Sequence, residues 1–355
     1  MKIVYTTKAV KVNKLERLVI DGYGKYVGRK GDRIIVREEG KIVAQVTPEE
    51  LRQVLITGHG AITFDALNLL SKNGVDVILI DQQGELSARL SFPELRTVLT
   101  RREQYYAYKD KRGVILGKEF VLAKLRNQYS TLGTIAKRRK DSDANSADKI
   151  YEKREEISLR IHEMEQVNGE NIEYVRDSIM GIEGVASANY WSAIALIIPE
   201  EFGFKGRSGR YAPDPVNAML NYGYGILEGE IWRAIHFAGL DPYGGFLHVD
   251  KPGKPSLVLD LMEEFRQQLI DKSIIKLLSR KEIKPEDFSI KDNLCFLGDK
   301  ARRTLLKEIL ERFEDYIAVN EEKMRWSDLM LNQARNIGKF LRGEIPKYEG
   351  FWLRW

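Results

Sequence analysis

The amino-acid sequence predicts an α+β protein of two domains, a small N-terminal β-rich domain followed by a larger all-α domain. Three observations carry the prediction. Up to about residue 87 the chain consists of short β-branched runs cut by glycine turns. After Phe92-Pro93 the apolar residues recur with a helical period, in long segments that hold few Gly or Pro. The length, 355 residues, suits two domains, taking roughly 150 residues for each. A chain of this size buries about three quarters of its unfolded surface, so its core needs no disulfide or structural metal.

In the first domain Leu18-Val19-Ile20, Arg33 to Arg37 and Ile42 to Val46 are expected strands. The turn signals Gly22-Tyr23-Gly24, Lys30-Gly31-Asp32 and Glu38-Glu39-Gly40 separate them. Val54-Leu55-Ile56 reads as a buried strand ending at Thr57-Gly58. Phe64 to Leu70 reads as a short helix that stops near Asn73-Gly74. Val75 to Ile80 is a further strand, and Gln82-Gln83-Gly84 turns into Leu86 to Leu90. The second domain is read as helices over Leu95–Tyr108, Val114–Gln128, Ala147–Val167 and Val175–Ile198. Four more follow at Val216–Ala238, Ser256–Leu278, Lys300–Ile317 and Met324–Leu341. The expected division is 1–87 for the β-rich domain, 88–100 for a short linker poor in Gly and Ser, and 101–355 for the helical domain.

Composition excludes several classes. With 43% hydrophobic and 31% charged residues the chain is globular rather than disordered. Its single cysteine, Cys295, excludes a disulfide framework and a thiolate zinc site. The neighbours Leu294, Phe296 and Leu297 predict a buried, inert thiol. The N-terminus has no apolar signal core, and the longest apolar stretch, near Trp191 to Ile198, falls short of a membrane span. A soluble, cytoplasmic protein with no membrane partner is expected.

The net charge of +5 is a weak hint of an anionic partner, and its distribution says more. Residues 89–140 hold 14 Lys/Arg against 4 Asp/Glu, a net of +10. Residues 141–200 hold 5 against 13, a net of −8. Tyr105, Tyr106, Tyr108, Phe120 and Tyr129 interleave with the cations of the basic block. Cations track phosphates and aromatics stack on bases, so nucleic acid is one reading. A solvated helix face over core aromatics is the other.

Of four histidines, His59, His162 and His236 have ordinary contexts. His248 instead follows the backbone-shaping loop Gly239 to Leu247. Asp260 and Glu263 come next, on a segment whose apolar stripe is Leu257, Val258, Leu261, Met262, Phe265 and Leu269. Asp260, Glu263 and Gln267 share its opposite face. Two carboxylates and an imidazole can converge there on one cation; an amphipathic helix with a wet face accounts for the same spacing. Glu183 is enclosed by small and apolar residues between Gly181 and Gly184, which permit close backbone approach. A carboxylate buried there needs a partner, a proton or a metal, and one at a helix end needs none. A histidine with carboxylates and no thiolate suits Mg²⁺ or Mn²⁺. The P-loop, His-Glu-x-x-His, Gly-x-Ser-x-Gly and dinucleotide-binding signatures are missing.

Met180-Gly181-Ile182-Glu183-Gly184 with Tyr190-Trp191, Asn217 to Tyr224, the Gly239 to His248 loop and Ser256 to Arg266 follow one another in this order. Lys124-Leu125-Arg126-Asn127-Gln128 and Gln333 to Glu344 extend the pattern over nearly the whole chain. Together these segments resemble CRISPR-associated protein one, the metal-dependent DNA endonuclease and integrase family of spacer acquisition. The resemblance implies an N-terminal domain that forms a homodimer and a helical catalytic domain. It implies double-stranded DNA as substrate, both spacer precursor and CRISPR repeat, and CRISPR-associated protein two as partner. By motif match Glu183, His248 and Glu263 fall on the family's metal ligands, for Mg²⁺ or Mn²⁺, and Asp260 on its supporting acidic position. Many members carry Asp where this chain has Glu263. Tyr222 matches a tyrosine near the family's active site, with a packing role as the alternative. Lys254 and Arg266 are candidate phosphate contacts. The basic block would hold DNA backbone or shape the dimer. The rival from another class is a catalytically silent DNA-binding scaffold whose carboxylates are structural; a metal phosphohydrolase for small nucleotides is a second.

Overall fold

The computed structural model describes residues 2–5, 15–81, 84–90, 97–209, 211–319 and 322–353. The chain divides into two units, residues 1–94 and 95–355. The expected switch at Phe92-Pro93 and the turn at Gln82-Gln83 lie outside the described residues.

The first unit contains β1 (Lys2–Tyr5), β2 (Leu15–Ile20), β3 (Lys25–Lys30), β4 (Arg33–Glu38), β5 (Lys41–Val46), β6 (Gln53–Ile56) and β7 (Gly60–Ile62). Helix α1 (Phe64–Lys72), β8 (Asp76–Ile80) and β9 (Leu86–Leu90) complete it. One sheet has the order β1-β2-β6-β8-β9 and the other β5-β4-β3-β7. Strands β2, β6 and β8 pair in parallel, with Leu18 opposite Val54 and Val54 opposite Val77. Buried on both faces, such strands read as unbroken apolar runs rather than alternating ones. Between β4 and β5, Glu39 and Gly40 both take positive φ (50° and 77°), the backbone of a type I′ hairpin. Leu18, Val27, Ile34, Val36, Val54, Leu70 and Val77 form one core. Thr63 caps α1 by accepting the Ala66 N–H at 3.2 Å, and Asn73-Gly74 ends it as expected.

The second unit contains α2 (Val98–Ala107), α3 (Lys111–Arg139), α4 (Ala144–Gln166), α5 (Ile172–Ala195) and α6 (Pro215–Phe237). Next come α7 (Ser256–Met262), a π-helix over Gln267–Asp271 and α8 (Lys272–Ser279). The hairpin β10 (Phe288–Lys291) and β11 (Leu294–Leu297), α9 (Asp299–Glu314), the hairpin β12 (Tyr316–Val319) and β13 (Glu322–Arg325), and α10 (Trp326–Leu341) follow. Helix α3 packs against α4 and α5. Helix α6 is buried almost all round and touches α7, α9 and α10, which makes it the unit's central rod.

The second unit is helical, as expected, with two short hairpins added. Asp292 and Asn293, both at positive φ (51° and 60°), turn β10 back on β11, and four-residue strands are too short to show a period of two. Ser256–Leu278 is three segments and not one helix. Much of the expected 88–100 linker is regular structure: β9 pairs with β8 as far as Leu90, α2 starts at Val98, and 91–96 lie outside the described residues. Among the described residues no helix is long and apolar enough to cross a membrane.

Candidate functional site

Three helices bring charge to one place. Lys124 sits in the middle of α3, Glu183 in the middle of α5, and Glu263 caps the C-terminus of α7. The Lys124 ammonium lies 2.5 Å from Glu183 Oε1 and 2.8 Å from Glu263 Oε2. Ser187, one turn beyond Glu183, donates to the same Oε1 at 2.6 Å, and Gln128, one turn beyond Lys124, donates to Ser187 Oγ at 3.2 Å. Arg266 Nε approaches Glu263 Oε2 at 3.2 Å. Glu263 and Lys124 are 6% and 13% exposed, so these contacts are made away from bulk water.

Burial by itself would push the Glu263 carboxyl up. Arg266 and Lys124, with a contribution from His248, more than reverse this and hold it at about 2. Burial pulls the Lys124 ammonium down, and Glu263 and Glu183 together outweigh it, so it ends above the usual lysine range.

A second cluster supports the first. Asp271, placed by the π-helix, accepts the Tyr224 O–H at 2.8 Å and the Tyr190 O–H at 2.9 Å. Burial pushes Asp271 up to about 6 despite those two donors. The Tyr224 ring carries the Arg266 guanidinium 4.6 Å from its centroid and the Arg207 guanidinium at 5.5 Å. Lys124, Glu183, Trp191, Lys205, Arg207, Tyr224 and Arg266 line a cleft of about 570 Å³. Gly181 and Gly184 have no neighbour within 4 Å of an added Cβ. The close backbone approach expected of them is therefore absent; they lie on an open helix face, Gly184 on the wall of the cleft.

His248 is held from behind. Asp260, fully buried, accepts the N–H groups of Phe246 (2.6 Å), Leu247 (2.9 Å) and His248 (2.9 Å). Its Oδ1 also accepts His248 Nδ1–H at 2.7 Å. A carboxylate only accepts, so Nδ1 carries a proton, and in the neutral imidazole the lone pair is then on Nε2. Gly245 makes the loop possible, since a Cβ there would lie 2.6 Å from Ser256 Cβ and 2.9 Å from Asp260 Oδ2. Arg176 of α5 holds the same loop by donating to Phe246 O, and it also donates to Tyr108 Oη just past the end of α2.

The polar face of α7 is not wet. Asp260, Glu263 and Gln267 are 0%, 5% and 1% exposed, because the 246–248 loop, α3 and the cleft residues cover them. Tyr222 is fully buried within α6 and does not line the cleft; Tyr224, two residues on, does. Lys254 lines a different pocket of about 460 Å³, with Tyr105, Tyr108, Tyr243 and Asp250. Arg266 is in the cleft and pairs with Glu263. Cys295 is buried among Ala212, Ala218 and Phe288, and burial pushes its thiol up to about 11. Part of the basic block is paired within the chain: Lys109 meets Glu173, Lys111 meets Glu170, Arg126 meets Glu165 and Lys124 meets Glu183. Arg207 and Asp271 are site residues that the sequence did not single out, and Lys124 and Tyr224 stood within segments that carry the resemblance without being assigned a role in the site.

Among the described residues no three His, Cys, Asp or Glu side chains are gathered closely enough to hold a metal as they stand. Yet the donor set fits a hard divalent cation: two carboxylates already share one cation, and an imidazole nitrogen is left available by its Asp260 contact.

The fold and the cleft define a class of protein, a β-rich unit joined to a helical unit that gathers carboxylates, an imidazole and several cations. The family model described as CRISPR associated protein Cas1 matches residues 18–311, and this chain belongs to that family. A CRISPR-associated endonuclease Cas1 of Archaeoglobus fulgidus is 50% identical over 345 residues, covering 96% of this chain and all of the relative. A casposase bound to its integration product superposes with a TM-score of 0.82 at 25% identity, over 94% of this chain and 93% of that one. A CAS1 protein from Thermotoga maritima has the same fold, with a TM-score of 0.76 at 19% identity over 96% and 100% of the two chains.

Proposed function

We propose that this protein is a divalent-metal-dependent DNA endonuclease and integrase of CRISPR adaptation, cutting and joining phosphodiesters to insert spacer DNA into the array. The observation that carries the reading is the meeting of Glu183 and Glu263 on one cation, beside an imidazole oriented by Asp260. It stands in a chain half identical to a protein named an endonuclease, whose fold is close to that of a casposase bound to an integration product. Glu183, Glu263 and His248 Nε2 would hold Mg²⁺ or Mn²⁺, with Asp260 as the positioning group behind His248. Bound there, the cation would supply charge neutralisation at the phosphate and an activated oxygen nucleophile. Arg266 and Arg207, stacked on Tyr224, bind phosphate oxygens at the wall of the cleft. Water as nucleophile gives hydrolysis, and a DNA 3′-hydroxyl gives strand transfer. By family membership we assign it a cytoplasmic location, a homodimer built on residues 1–87 and CRISPR-associated protein two as partner.

The test is strand transfer from a duplex with 3′-hydroxyl ends into a supercoiled plasmid, with Mn²⁺, Mg²⁺ or EDTA, beside His248→Ala. Product that needs metal and is lost in His248→Ala is expected. No product with any metal and with the partner protein supplied favours the silent scaffold. Metal-dependent product that survives His248→Ala keeps the enzyme and overturns the site.

A further inference from the structure

We infer that Lys124 is a resident counter-cation of the carboxylate site, so that a divalent ion enters by exchange with its ammonium group. The inference rests on the metal-site reading above. Its basis is position. Lys124 reaches from α3 to carboxylates on two other elements, 2.5 Å from Glu183 and 2.8 Å from Glu263, in a place only 13% exposed. A surface ion pair contributes little, but two carboxylates brought together away from water repel strongly unless a cation lies between them. Arg266 does not serve in its place, because its contact is to Glu263 alone and its guanidinium is held over Tyr224.

One positive charge thus keeps the acids together while the metal is away, and the same charge competes with the metal for them. The exchange is balanced: the ion arrives, and the ammonium leaves still protonated, into the cleft that Lys124 itself lines. The same arrangement accords with the finding that, among the described residues, no three ligands are gathered as they stand. The carboxylates are arranged around an amine, which approaches them singly, rather than around an ion that would draw His248 in as well.

Lys124→Met removes the charge and keeps the length. Its unfolding midpoint in EDTA should fall by roughly 5 °C or more, since Glu183 is left facing Glu263 with no cation between them. Calorimetric titration with MnCl₂ should show binding about tenfold tighter than wild type, a change of only about 1.4 kcal/mol. Equal or weaker Mn²⁺ binding with an unchanged midpoint overturns the inference and leaves the metal site standing. Absence of Mn²⁺ binding in both proteins overturns the metal site and this inference together. If Lys124→Met does not fold, the wild type answers by acylation with a lysine reagent followed by mass spectrometry. Mn²⁺ should speed modification of Lys124 severalfold relative to the other lysines; an unchanged rate refutes the exchange.

Discussion

Replacing Asp260 tests whether the loop that carries His248 is built by one carboxylate. Four donors converge on it at 2.6 to 2.9 Å, three from backbone and one from the imidazole. All lie around a side chain with no exposure, so water cannot replace it. Each donor left unpaired costs about 1–3 kcal/mol, and the four are not additive, so Asp260→Ala should lose about 3–5 kcal/mol. Asp260→Asn is the finer probe. Its amide oxygen can keep the pair now on Oδ2, from Phe246 and Leu247, while its NH₂ faces the donors of His248. That variant should lose about half as much, on the order of 2 kcal/mol. It should also drive the His248 proton from Nδ1 to Nε2, which removes the lone pair proposed to bind metal. Denaturant unfolding reads the energy, imidazole ¹⁵N shifts read the tautomer, and Mn²⁺ titration should show a loss of about 10–100-fold. An Asn variant with wild-type stability, tautomer and Mn²⁺ affinity would refute the argument that Asp260 sets the loop and the ring.

Two buried acids should give opposite pH dependences of stability. Glu263, held at about 2, binds fewer protons folded than unfolded, so its contribution is complete above its ordinary pKa of 4.5 and is lost as pH falls toward 2. It is worth on the order of 3 kcal/mol, and Glu263→Gln should flatten the acid limb of the stability curve. Asp271, raised to about 6, binds more protons folded than unfolded between 3.8 and 6, so stability falls by on the order of 3 kcal/mol as pH rises through that window. Asp271→Asn should abolish that fall; denaturant melts between pH 4 and 7 decide it. Gly184→Ala meets no neighbour, so it should raise helix stability by about 1 kcal/mol, seen as a higher melting midpoint.

The parts of the fold legible in the sequence were those with a local cause. Val54-Leu55 and Val77-Ile78 are apolar because these parallel strands are covered on both faces there. Helix α1 announced itself as Phe64 to Leu70 with its stop at Asn73-Gly74. The hairpins at Phe288–Leu297 and Tyr316–Arg325 were hidden because four-residue strands leave too few positions for a period to appear. At the site, Glu183, His248, Asp260 and Glu263 stood out by residue type. Their partners did not, because periodicity places Asp260, Glu263 and Gln267 on one polar face without saying whether solvent or protein covers it. The basic block was legible as composition, but which of its cations are paired was not. Its cations meet the acidic block through contacts such as Arg126 with Glu165, 39 residues apart, and only tertiary packing brings those together.

The π-helix at Gln267–Asp271 works as a phase shifter. In an α-helix each residue advances the side chain by about 100°, so one extra residue in a turn rotates everything after it by that amount. Ahead of the shift, Asp260 and Glu263 are clocked to the histidine loop and to Lys124. At its end, Asp271 is clocked to Tyr190 and Tyr224. Helix α8 then runs on with Ile274, Leu277 and Leu278 facing the core. Two constellations that no single straight helix can satisfy thus share one stretch of chain. Removing a residue from this turn would break the second without touching any residue of the first.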